Sequence, residues 1–163
     1  MKLKFQFQFL FALLGSVLAA TFRQPDTIAL GNAVLTHPGP CDSKLADEAI
    51  GRHQLVKFGS DADHIGVADD ADIPLGFTRD ASGAIGELVG FDLLGLSHKA
   101  TEFTADGAVT AGNYVCPGDG GKVRDITLLN GVTVYICGRA LTTGADAAQV
   151  IVVPFAPVQR VIA

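Results

Sequence analysis

Tryptophan is missing from this chain, methionine occurs only at position 1, and tyrosine occurs twice. Charge is also scarce: Asp, Glu, Lys and Arg together make up 18% of the residues, below the usual quarter. The 12 basic residues do not cluster, and the 17 acidic ones leave a formal net charge of −5. Such a surface repels a phosphate backbone, which argues against nucleic acid as a partner. Cysteine is limited to Cys41, Cys116 and Cys137, with no CxxC pair and no histidine at ligand spacing, so no zinc site is assigned. Either Cys116 and Cys137 meet across a hairpin and leave Cys41 free, or all three are small buried hydrophobes.

Catalytic machinery is equally thin. No GxSxG motif is present, and no Ser or Cys sits in an activating context. His37, His53, His64 and His98 are scattered at loops and strand ends, and His64 beside Asp63 reads as surface rather than as a general base. Glu87 and Asp92 can be drawn as a glycosidase pair, but nothing in the sequence sets them across a cleft. "GDGGK" at 118–122 lacks the spacing of a phosphate loop and has no helix after it, so it reads as a turn. No catalytic residue, cofactor, metal ligand or small-molecule substrate is assigned, and the chain reads as non-enzymatic.

One stretch tests that conclusion. "DADHIGVADDAD" puts Asp61, Asp63, Gly66, Asp69 and Asp72 at positions 1, 3, 6, 9 and 12 of a calcium-loop template. Position 5 is Ile65, where an oxygen donor is needed, and Asp72 is too short for the usual bidentate reach of Glu. Strand-like segments flank it where the template has helices. The aspartates therefore read as a solvated loop ahead of the strand that begins at "IPLGF".

What the chain does have is apolar mass and glycine. Of 163 residues, 48% are hydrophobic and 19 are glycine, enough for one globular domain with an arm. Residues 1–20 open with Lys2 and Lys4, run apolar, and end in Val17-Leu18-Ala19-Ala20. They read as a secretory leader cleaved after Ala19 or Ala20, or as a retained hydrophobic arm with a strand-like Phe5-Gln6-Phe7-Gln8-Phe9 alternation. Residues 21–52 read as an extended arm, with a short strand at 27–35 and one short helix over 43–51, capped by Ser43 and stopped by Gly51.

Residues 53–163 read as an all-β domain, a small barrel or sandwich of short glycine-linked strands. Strands are expected at 53–59, 71–80, 108–118 and 148–162, with a glycine-interrupted pair over 86–98. A hairpin is expected about Asn130-Gly131 within 121–142. Pro154 and Pro157 are expected to limit growth of the last strand. There is also an internal echo between "IPLGFTRDASGAIGELVGF" and "YICGRALTTGADAAQVIVVPF". It sets Gly76 against Gly138, Glu87 against Gln149, and Leu88-Val89 against Val150-Ile151.

Three of these segments, taken in order, carry a resemblance: "IPLGFTRDASGAIGELVGFDLLGL", "GAVTAGNYVCPGDGGKV" and "ICGRALTTGADAAQVIVVPF". Over about residues 54–155 the chain resembles the phage capsid cement, or head decoration, proteins of the family once called domain of unknown function 2190. The resemblance implies a non-enzymatic β protein that binds the outer capsid surface and stiffens the shell. Its implied partners are the major capsid protein and further copies of itself, a homotrimer being favoured. Residues 1–50 lie outside the resemblance, and a cleaved leader would instead imply a secreted or periplasmic β-sandwich binding module. The arm's composition makes Phe22, Ile28, Leu30, Val34 and Leu35 the candidate capsid contacts.

Overall fold

The computed structural model describes residues 41–82, 84–97 and 99–162. They form β1 (Cys41–Ala46), β2 (Leu55–Phe58), β3 (His64–Val67), β4 (Gly76–Thr78), β5 (Leu88–Leu93), β6 (Thr101–Thr104), β7 (Tyr114–Pro117), β8 (Val123–Asp125), β9 (Thr133–Ala140) and β10 (Gln149–Val161). The class is all-β, as the glycine-punctuated sequence implies. The first five strands close into a barrel in the order β1-β3-β2-β4-β5, and the last five form a sheet in the order β6-β10-β9-β7-β8. The leader and the arm up to residue 40 lie outside the described residues, and with them Phe22, Ile28, Leu30, Val34 and Leu35.

The helix expected over 43–51 is not formed. Residues 41–46 are β1, antiparallel to β5 through Cys41↔Asp92 to Leu45↔Leu88 and parallel to β3 through Leu45↔His64 and Ala46↔Ile65. Pairing on both sides satisfies the backbone that a two-turn helix would leave largely open, so tertiary pairing overrides local propensity. The β body thus reaches back past residue 53 to include Cys41. Among the described residues, the helical pieces are two 3-10 turns, Asp119–Gly121 and Ile126–Leu128.

The internal echo is the visible part of a duplication that runs through the whole β body. The β2–β3 pairing (Val56↔Val67, Lys57↔Gly66, Phe58↔Ile65) recurs in β7–β8 as Val115↔Asp125, Cys116↔Arg124 and Pro117↔Val123. The β2–β4 pairs Leu55↔Phe77 and Val56↔Gly76 recur as Tyr114↔Arg139 and Val115↔Gly138. The parallel contact Ala46↔Ile65 that closes the barrel recurs as a single parallel bridge, Ala105↔Val123, between the edges of the second sheet. Loop bonds repeat as well. Ile50 and Ser82 exchange backbone hydrogen bonds at 3.1 and 2.7 Å, and Val109 and Gly144 do so at 2.8 and 2.9 Å.

Gly76 and Gly138 are equivalent and fill the same need. A Cβ on Gly76 would overlap the Asp92 carbonyl, and one on Gly138 would come within 3.2 Å of the Val153 carbonyl, so the neighbouring strand leaves no room for a side chain. The two modules are thus copies of one five-strand unit, aligned by an offset of 59 residues at β1, β2, β6 and β7 and of 61 at β5 and β10.

Each module buries alternate strand residues. Ala46, Ile50, Val56, Ile65, Val67, Val89 and Phe91 fill the first barrel. The second core, with Phe103, Val109, Val115, Val123, Val150 and Val152, is continuous with Leu55, Ala68, Phe77 and Leu94 of the first module. Leu55 and Phe77 point out of the first barrel, so the inner side of the second sheet seats on that outer face. Phe77 meets Phe103 edge-on at 5.5 Å.

One turn expectation is revised. β8 and β9 are not paired, because β7 lies between them, so Asn130-Gly131 is not a two-residue hairpin. Gly131 does take the positive φ expected there, at 70°, and its N–H donates to the Ile162 carbonyl at 2.9 Å. The closing strand runs through Pro154 and Pro157 as expected, 13 residues in all. β6 pairs only with Gln149–Val152, so both prolines lie where one side of β10 has no strand partner, and the register shifts between Pro154 and Val158.

Candidate functional site

The acidic stretch is not one loop. β3 passes through it, leaving Asp61 and Asp63 before the strand and Asp69, Asp70 and Asp72 after it. Each part ties down its own turn. Asp61 Oδ1 accepts from the Asp63 N–H at 2.8 Å and meets His64 Nδ1 at 2.7 Å. That hydrogen bond lowers the Asp61 pKa and raises that of His64. Asp72 Oδ2 accepts from the Asp69 N–H at 2.8 Å and from Lys57 Nζ at 2.6 Å. A common cation centre for the calcium template is therefore not assembled.

Asp69 and Asp70 instead face the second module. Asp69 Oδ1 accepts from the Gly120 N–H at 3.0 Å, and Asp70 Oδ2 accepts from Arg124 Nη1 at 2.5 Å. Arg124 also donates to Asp106, which accepts from the Asp119 N–H at 3.1 Å. Carboxylate oxygens of Asp70, Asp106 and Asp119 lie within 4.8 Å of one another, a spacing a metal ion would suit. The Arg124 guanidinium already binds two of the three. Burial disfavours its charge, but the hydrogen bonds with Asp70 and Asp106 outweigh burial and leave its pKa raised. This is an ion-pair network across the seam between modules. Beside it lies a pocket of about 350 Å3, walled mainly by Pro117, Leu129, Val132 and Val134 with Arg124 and Asp70 at its edge.

The remaining chemical candidates also have structural work. Asp92 accepts from Arg79 Nε at 2.8 Å, and Glu87 accepts from Ser82 Oγ and from the Ala84 N–H at 3.2 Å each. His53 holds a left-handed turn at φ 57°. His37 and His98 lie outside the described residues. Cys41, Cys116 and Cys137 are buried free thiols, the second of the two arrangements the sequence allowed. "GDGGK" is indeed a turn: Gly118 N–H donates to Lys122 O at 3.0 Å, as Gly59 does to His64 O at 2.9 Å in the first module.

What stands out is a surface. Tyr114 is 43% exposed, with Arg139 stacked over its ring at 6.0 Å and Phe155 edge-on at 6.2 Å. Tyr114 and Arg139 occupy in the second module the positions that Leu55 and Phe77 occupy in the first. Sequence reasoning missed this face because its equivalence appears only once the modules are superposed by pairing. One signal was available: "ADEAI" at 46–50 and "ADGAV" at 105–109, each followed by glycine at the same distance, Gly59 and Gly118.

This fold has been seen before. The head fiber gp8.5 N base of bacteriophage phi29 superposes on the chain with a TM-score of 0.56 at 14% sequence identity, over 74% of this chain and 98% of that chain. At that identity the likeness is one of fold. No protein-family model and no curated protein matches the sequence.

Proposed function

We propose that this protein is a non-enzymatic structural component of a phage head, carried on the outer surface of the shell, where it acts as a cement. The observation that carries the reading is the fold it shares with a head fiber base, almost all of whose length it matches. The resemblance of its sequence to head decoration proteins points the same way. The physical features suit the role. A closed barrel with a second sheet seated on it is a stiff body, and Asp70 and Asp106 at the seam are tied into ion pairs with Arg124. The N-terminal arm supplies the attachment, with Phe22, Ile28, Leu30, Val34 and Leu35 entering an edge or groove of the major capsid protein. Many copies on a symmetric shell, grouped as trimers, let a weak single contact hold.

Co-sedimentation with shells of the phage whose genome encodes the chain tests this. The full chain is expected to pellet with shells, and a chain lacking residues 21–35 to stay in the supernatant with its β-sheet circular dichroism unchanged. Unchanged binding by the shortened chain would sink the arm as the attachment. Absence from purified virions, together with a mature chain starting at Ala20 or Thr21 in the medium or periplasm, would sink the head assignment and favour an exported binding module.

A further inference from the structure

We propose that copies of this chain associate head to tail, with the Ser60–Asp63 turn of one copy seated on the Tyr114–Arg139 face of the next. This does not depend on the shell-binding reading. The chain holds its own precedent, because one module already covers the other. The second module's turn, Asp119–Gly121, seats on the first module's outer face. There the Gly121 N–H donates to Ala68 O at 3.0 Å, the Gly120 N–H to Asp69 Oδ1 at 3.0 Å, and Gln54 Nε2 to Gly120 O at 2.8 Å. Leu55 and Phe77 lie beside that turn on the same face, buried against Phe103 and the rest of the second core.

The first sheet's inner side is closed within its own barrel, but the turn and the outer face each have a counterpart left exposed. The counterpart of Asp119–Gly121 in the first module is Ser60–Asp63, lying between Gly59 and His64 as Asp119–Gly121 lies between Gly118 and Lys122. All four of its residues are exposed. The counterpart of the covered Leu55–Phe77 face is Tyr114–Arg139, which is also exposed. A turn on one end and a face on the other cannot meet within one chain in the way already used. Two chains can meet that way, and the contact is heterologous, closing as a ring or continuing as a row.

The side chains at the unused pair differ from those at the used one in the direction a separable contact requires. Where the seam has Leu55 and Phe77, the free face has tyrosine and arginine, the residue types that anchor interfaces between separate chains. Where the seam turn has Gly120 and Gly121, the free turn has Asp61 and Asp63, opposite in charge to Arg139. Phe58, 58% exposed and two residues before the turn, adds apolar area beside the charges. The partner these features select is a second copy of this chain, with its acidic turn directed at an arginine-over-tyrosine stack.

Sedimentation velocity of the full chain over a concentration series is the test. The parent chain is expected to associate reversibly. Arg139→Glu should weaken association by at least about tenfold, and the pair Asp61→Arg with Asp63→Arg should do the same. All three positions are exposed, but Asp61→Arg also removes the Asp61 bonds to the Asp63 N–H and to His64. The circular dichroism of every variant is therefore expected to match the parent's at the assay temperature, and recovery in the combined chain separates lost association from lost folding. Combining the three in one chain should restore association by re-pairing the reversed charges. A parent chain that stays monomeric at every soluble concentration overturns the proposal. So does association unchanged by either variant, and so does failure of the combined chain to recover.

Discussion

Phe77→Ala should destabilise the protein far more than Arg139→Ala, although the two residues occupy equivalent positions in the two modules. Phe77 is 2% exposed and lies edge-on to Phe103, with the planes at 72°. Removing a buried ring of that size forfeits about 3 kcal/mol of transfer free energy. The edge-to-face contact adds about 1 kcal/mol. The sum, about 4 kcal/mol, lies inside the range of about 3–5 kcal/mol seen for such truncations. Arg139 is exposed and loses only its stacking on Tyr114 and a hydrogen bond to Gly112 O, so Arg139→Ala should cost under about 1 kcal/mol. With no tryptophan to report, urea unfolding is best followed by far-ultraviolet circular dichroism. A cost below about 1 kcal/mol for Phe77→Ala would show that the seam contributes little, and equal costs at the two positions would refute the claim that burial separates them.

Other expectations follow from single residues. Asp125 is 1% exposed and accepts from Thr110 N (3.1 Å), Asn113 Nδ2 (2.8 Å), Thr127 N (2.9 Å) and Thr127 Oγ1 (2.7 Å), so Asp125→Ala should cost about 3 kcal/mol in chemical denaturation. Burial favours the neutral acid there, but those hydrogen bonds outweigh it and depress the pKa. The stabilisation is therefore full above the ordinary carboxylate range near about 4 and is lost as pH falls through the lower folded value. An Asp125→Asn chain should lose less stability on acidification, and an equal acid loss in both chains would contradict this. His53 (φ 57°) and Gly112 (φ 92°) hold the same left-handed turn, so Gly112→Ala should cost about 1–2 kcal/mol while His53→Gly stays within about 0.5 kcal/mol of neutral. Burial pushes the Cys116 thiol up to about 12 and raises that of Cys137 too. A thiol reagent should label neither until urea unfolds the chain, and rapid native labelling would show that the sheet opens locally.

Regular features were the legible ones. Glycine-spaced apolar runs announced an all-β body, and the closing strand was found at 148–162 against an observed Gln149–Val161. Residues 43–51 misled because Ala, Glu and Lys favour a helix locally, while β1 owes its form to partners distant in the chain. Read from the sequence alone, the echo aligns at an offset of 62 throughout. The structure keeps 62 at Ser82 and Gly144 but drops to 61 by Gly86 and Ala147, an extra residue in the first module's loop. That slip set Leu88, which is 57% exposed, against the buried Val150. In a pleated strand a one-residue error exchanges the two faces. The Tyr114–Arg139 face was out of reach for the same reason, since neither residue signals a surface until its buried counterpart in the other module is known.

The length and placement of β10 bear on how the molecule would carry a load. Tension applied at Val161 along the strand axis runs antiparallel to both neighbours, with four register pairs to β6 and seven to β9. Such a pull shears the ladder, so many hydrogen bonds must fail together, whereas peeling the strand sideways would break them one at a time. A body anchored through its C-terminal strand would therefore resist extension along that strand much more strongly than across it.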